Sequence, residues 1–125
     1  MIRLTILGNP VTKKNNMQIV RQGNRPSLIQ SKRYRQYEKD FIIQVTGKHK
    51  LQIDQPVNVK CIYYRATRHR VDLTNLMAAT HDCLVKAEVL KDDNYTIIKS
   101  VDGSEVRHDK HNPRVEITIE QRNED

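Results

Sequence analysis

Apolar residues recur along this chain with two different periods, and the switching between them lays out the elements. Ile2, Leu4 and Ile6 alternate with Arg3 and Thr5, which predicts a strand closed by Gly8-Asn9-Pro10. Residues 11–16 are polar and basic with no helical period. Short extended stretches at 17–21 and 26–30 flank Gly23-Asn24 and read as a hairpin. After Ser31, a residue suited to an N-cap, Tyr34, Tyr37, Phe41, Ile42 and Val45 recur at spacings of three and four. That is an amphipathic helix ending near Gly47, with Lys32, Arg33, Arg35 and Lys39 on its other faces.

The second half begins with a strand, where Val57, Val59, Cys61 and Tyr63 alternate with Asn58, Lys60, Ile62 and Tyr64. Residues 65–70 form a basic loop, and a second helix is expected over 73–88. Its apolar stripe is Leu73, Leu76, Met77, Thr80, Leu84 and Ala87. A turn at 91–94 leads to a strand over 95–101, and Val115, Ile117 and Ile119 mark the last strand. There is no repeat, low-complexity tract or linker. The order predicts an α+β fold: one domain over residues 1–125, a mixed sheet with two main helices packed on one face, and a frayed tail at 121–125.

Composition narrows the setting. No stretch approaches the roughly 20 apolar residues of a membrane helix, so no membrane partner is expected. The N-terminus lacks the longer apolar core of a signal peptide. Cys61 and Cys83 have neither metal-ligand spacing nor a disulfide framework, which fits free, buried thiols in a cytoplasmic protein. The net charge of +7 is unevenly spread. Residues 1–50 hold eleven Lys and Arg against two acids, a net of +9; residues 51–125 hold eleven against thirteen, a net of −2. A basic half suits nucleic acid or an anionic membrane surface, and the other half concentrates carboxylates.

Magnesium and manganese take hard oxygen ligands, commonly one or two carboxylates with water and phosphate. Asp72 stands where the basic loop becomes the second helix, at the edge of its apolar stripe, with Asn75 one turn on. Asp82 points to a similar side but is ten residues along, about 15 Å at 1.5 Å per residue, so the two should not share an ion. Asp92 and Asp93 lie in the turn after the helix and reach a strand-to-helix junction only through tertiary packing. Taken alone, each has an ordinary reading: an Asp before a helix caps it, and an Asp-Asp-Asn run makes a turn.

The string Arg70-Val71-Asp72-Leu73-Thr74-Asn75-Leu76, with Asp82 and Leu84 further along and then Leu90-Lys91-Asp92-Asp93, resembles the RusA family of Holliday-junction resolvases. That family carries a D-L-D-N-L-x-K-x-x-x-D-x-L helix motif behind basic residues, then a D-D turn. The segment from Pro10 to Asn16 is similar to its first-strand P-x-S-x-N element. The resemblance runs from the first strand to the last. It implies a homodimeric endonuclease using Mg2+, or Mn2+ in its place, on branched four-way DNA. A phage or prophage setting fits the same resemblance. Asp72, Asp92 and Asp93 take the catalytic and metal-binding roles; Asn75 and Asp82 match the family's asparagine and later helix aspartate. Two positions depart. Thr74 stands where the family has a second Asp, and Ala78 where it often has a Lys. Lys86 or Lys91 are candidates to replace that cation.

Lys13, Lys14, Asn15 and Asn16 suit phosphate contacts, as do Arg68 and Arg70 just before Asp72; Asn75 joins the expected DNA contacts. Five Tyr, one Phe and no Trp leave little for base stacking, which argues for recognition of backbone and branch shape. A two-fold dimer matches the near two-fold symmetry of a four-way junction. Of the five histidines, only His69 stands beside the motif; the others read as surface residues. Three readings remain: an active junction resolvase, a junction-binding module with weakened cleavage, and a nuclease acting on flaps or RNA.

Overall fold

A computed structural model describes residues 1–13, 17–23 and 25–123. The central strand is β4 (Val57–Arg65), whose alternating Val57, Val59, Cys61 and Tyr63 are all buried. One edge of β4 pairs antiparallel with β7 (Arg114–Gln121), and β7 pairs antiparallel with β1 (Ile2–Leu7). The other edge takes two short parallel partners in succession: β5 (Ile98–Ser100) at its start and β6 (Glu105–His108) at its end. The sheet is therefore mixed, in the order β1-β7-β4-β5 with β6 also on β4. A separate hairpin joins β2 (Met17–Gln22) to β3 (Arg25–Gln30). Gly23, with φ +65°, supplies the positive φ that a two-residue hairpin turn requires. Asn24 lies outside the described residues.

Two helices cover one face. Helix α1 (Lys32–Gln44) starts at Ser31, whose side chain accepts from the Tyr34 amide at 3.2 Å. It lays Phe41 and Val45 on the sheet. Gln44 exchanges two hydrogen bonds with the Leu7 backbone, at 2.7 and 2.9 Å, and so covers part of the free edge of β1. Helix α2 (Leu73–Lys86) buries Leu76, Ala79, Thr80, Cys83 and Leu84. The fold is the expected α+β arrangement, and among the described residues no helix is long and apolar enough to cross a membrane.

One buried polar contact ties α2 to the sheet. The hydroxyls of Tyr63 and Thr80 lie 2.7 Å apart, and Thr80 Oγ1 also donates to the Leu76 carbonyl at 3.0 Å. Tyr34 on α1 reaches Cys83 on α2 at 3.7 Å. Burial pushes the Cys61 thiol up to about 12 and the Cys83 thiol up to about 11, so both stay protonated and unreactive.

The end of α2 decides where the following turn goes. The Val89 amide bonds Leu84 O at 2.9 Å and the Glu88 amide bonds Val85 O at 3.0 Å, a Schellman closure. Glu88 sits at φ +66°, where glycine is usual. Leu90 then bridges in parallel to Ile53, and the Lys91 amide bonds Ile53 O at 2.9 Å.

Two expectations differ from the structure. The strand over 95–101 shrinks to β5 because Asn94 organises the residues before it: its side chain accepts from Thr96, and its carbonyl accepts from the Ile97 and Ile98 amides. Strand β6 was not expected. Its four residues are all exposed and only Val106 is apolar, so no alternation marks it; pairing with residues 62–65 of β4 orders it.

The hydroxyl pair predicts an asymmetry. Thr80→Val strands the buried Tyr63 hydroxyl and should cost about 2 kcal/mol, whereas Tyr63→Phe leaves Thr80 bonded to Leu76 and should cost about 1 kcal/mol. Urea unfolding of both variants checks the order; equal losses contradict it.

Candidate functional site

Asp72 is the N-cap residue of α2 by position, yet its side chain makes no capping bond. Its backbone carbonyl accepts from Asn75 and Leu76, while its Oδ2 accepts from Asn75 Nδ2 at 3.1 Å. The carboxylate is therefore exposed and oriented by Asn75 rather than consumed by the helix end. Thr74 and Ala78, the two positions that depart from the motif, are both exposed on α2.

The two turn carboxylates are not equivalent. Asp92 Oδ1 accepts from the Asp93 amide at 2.7 Å, and its Oδ2 accepts from Asn94 Nδ2 at 3.2 Å. Both its oxygens serve the turn. Asp93 is exposed, and among the described residues its carboxylate makes no hydrogen bond or ion pair. Its charge reaches His81, in the middle of α2.

His81 corrects the reading of the histidines other than His69 as surface residues. Its ring is half-buried, and its Nε2 is buried with no hydrogen-bond partner among the described residues. Burial lowers its pKa while Asp93 pulls the other way. Helical spacing is the signal that was available: His81 falls one turn after Ala78, on the side of the helix that carries Thr74. His69 itself is exposed, and its carbonyl accepts from Arg65 at 2.9 Å.

Asp82 is engaged through one oxygen, Oδ2. It pairs with Lys13 at 2.9 Å and Lys86 at 3.3 Å, and Lys86 also pairs with Glu38 of α1 at 2.9 Å. This network fastens the segment after β1 and both helices together. Burial alone would raise the Asp82 pKa, but the hydrogen bonds and charges of Lys13 and Lys86 outweigh it and hold the carboxyl below the usual range. Lys86 is thus committed here, and Lys13 is only partly free for phosphate. Lys91 is exposed beside Asp92. Lys14, Asn15 and Asn16 lie outside the described residues.

Between β4 and Asp72 runs the basic loop. The Ala66 amide donates to Asn9 Oδ1 at 2.8 Å, and Arg65 Nη1 holds the His69 carbonyl, so the loop is tied at both ends. Arg68 and Arg70 are exposed, and among the described residues neither makes an ion pair. The fold neutralises Asp82 and leaves Asp72, Asp93, Arg68 and Arg70 unspent.

Oxygen donors of this kind suit magnesium or manganese. Among the described residues no three His, Cys, Asp or Glu side chains are close enough to hold an ion by themselves. Two carboxylates completed by water and a substrate phosphate are the donor set that fits.

The engaged Asp82 predicts a pH effect. Its folded pKa is depressed, so its contribution is present above the ordinary carboxylate range and is lost as pH falls through the folded value. Asp82→Asn should cost on the order of 1 kcal/mol at neutral pH. Denaturant unfolding at neutral pH and near pH 3 checks it: the gap from wild type should close in acid, and a constant gap contradicts it.

The family model described as Endodeoxyribonuclease RusA matches residues 8–120. Comparison with curated proteins finds no match.

Proposed function

The chain belongs to the RusA family of endodeoxyribonucleases, and from that premise we propose that it is a divalent-metal-dependent nuclease that nicks four-way DNA junctions in pairs during recombination and repair. The observation that supports this reading is the pair of exposed carboxylates at the family's motif positions, Asp72 with one oxygen held by Asn75 and Asp93 without a hydrogen bond or ion pair among the described residues, after a basic loop whose Arg68 and Arg70 make no ion pair among them. Magnesium, or manganese in its place, would be held by these two. When bound it supplies charge stabilisation at the phosphate and makes an attacking water easier to deprotonate.

The chain's own residues have separable parts in this. Asn75 fixes the direction of the Asp72 carboxylate. Asp92 shapes the turn that presents Asp93. Arg68 and Arg70 draw the DNA backbone towards Asp72. Paired nicks call for two matched sites, which a two-fold homodimer on a two-fold junction provides. The free thiols of Cys61 and Cys83 fit a cytoplasmic setting.

Thr74 and Ala78 favour a second reading, in which junction binding persists with weakened cleavage. Thr74 is exposed and brings no charge, and no lysine stands at 78.

Nicking of a synthetic four-way junction with magnesium tests these assignments together. Asp93→Asn should reduce the rate by about 100-fold or more while junction binding is kept. Asp92→Asn should cost roughly 10-fold through a loosened turn. Undiminished nicking in Asp93→Asn contradicts the proposal. If cleavage is weakened, Thr74→Asp with Ala78→Lys raises the rate by about 10-fold or more; an unchanged rate removes the second reading.

A further inference from the structure

A cavity of about 320 Å³ lies between the basic loop and β6. Its wall carries Arg65, Arg68, His69 and Arg70 from the loop side, and Arg107 and His108 from β6. No carboxylate lines it. Four arginines around one cavity repel one another unless an anion joins them. Elsewhere on this sheet the fold cancels such charge: Arg114 is paired with Asp109 at 3.0 Å and Glu116 at 2.9 Å. Among the described residues, only Arg107 of the cavity wall has an acid, Glu105, and that acid stands outside the lining.

Two details mark the wall as set for a ligand. Arg65 has its Nε buried without a hydrogen-bond partner among the described residues, and burial and nearby Arg33 both work against its charge. Arg107 is held in place by Glu105 and by the Tyr64 hydroxyl at 3.1 Å, with its guanidinium beside the Tyr64 ring. These bonds use Nε, Nη1 and Nη2 once each, so the guanidinium is fixed and keeps one further N–H on each Nη for a phosphate oxygen. A water's share of liquid volume is about 30 Å³, so the cavity has room for a phosphodiester group and several waters.

Position says which phosphate. Val71 also lines the cavity, and the next residue is Asp72. A strand whose backbone rests here continues past the start of α2. We propose that this cavity is a backbone-phosphate site for the DNA strand that is cut, with Arg107 and His108 of β6 as DNA contacts on the far side of the basic loop. It rests on the nuclease reading above and adds β6 to the interface. Strand β6 then has a purpose that its exposed, weakly apolar sequence does not announce: it carries the second wall of the phosphate site.

The test is the salt dependence of binding to a fluorescent four-way junction, measured by anisotropy without divalent ions. Each phosphate contact contributes about one unit to the slope of log K against log salt. Arg107→Ala and the bulkier Arg107→Gln should each lower that slope by about one and weaken binding roughly 10-fold at low salt. Arg122→Ala is the control. Arg122 adjoins Pro56 at the opposite end of β4 and removes the same net charge, so its slope should stay at the wild-type value. Equal slopes for wild type and both Arg107 variants, or an equal loss in Arg122→Ala, overturn the phosphate site alone. Failure of the wild-type protein to bind branched DNA overturns the nuclease reading, and the phosphate site falls with it.

Discussion

The hydrogen bond between the Tyr63 and Thr80 hydroxyls is buried between β4 and α2 and fixes the helix that begins at Asp72 and carries His81. A hydroxyl buried without a partner costs more than the bond itself contributes, so the pair acts as a register pin as well as an attachment. With α2 pinned at its middle over the end of β4, its N-terminus falls where the basic loop leaves that strand. Its C-terminus falls where the Schellman closure and the Ile53–Leu90 bridge redirect the chain. A shift of α2 along the sheet would move Asp72, His81 and the Asp93 turn together relative to the arginines of β4 and β6.

Electrostatics then divides the acids by use. Asp82 is spent on holding the loop after β1, α1 and α2 together through Lys13 and Lys86, with Glu38 as the far member. Asp92 is spent on its own turn. Asp72 and Asp93 keep free oxygens at the surface, and Arg68 and Arg70, in the loop just before Asp72, are exposed without an ion pair among the described residues. A nuclease acting on a polyanion needs this division, because acids that hold a metal repel the backbone unless cations nearby outweigh them. His81, whose pKa burial lowers against the pull of Asp93, adds a polar group on the side of α2 where the family motif would place charge at positions 74 and 78.

Periodicity made the main elements legible. The strands at β1, β4 and β7 and both helices stand where the apolar spacing puts them, because each buries a full face and the burial writes itself into the sequence. The same logic explains what was not legible. Strand β6 buries nothing, so only its parallel pairing with β4 reveals it. The start of β5 is lost to a side-chain turn at Asn94 that competes with extended backbone. At the site, motif spacing singled out Asp72, Asp92 and Asp93, but only hydrogen-bond partners separate Asp93, which is free, from Asp92, which is not. His81 and Arg107 carry no motif of their own; their neighbours come from tertiary packing.

The central claim is the proposal that Asp72 and Asp93 share the metal ion that serves cleavage. A crystal structure of the protein with manganese and junction DNA, phased to show the metal's anomalous signal, tests it most directly. The account predicts a peak between the Asp72 and Asp93 carboxylates, with a backbone phosphate completing the coordination. A peak bound by Asp82 or Asp92 without Asp93, or carboxylates of Asp72 and Asp93 too far apart to touch one ion, contradicts it.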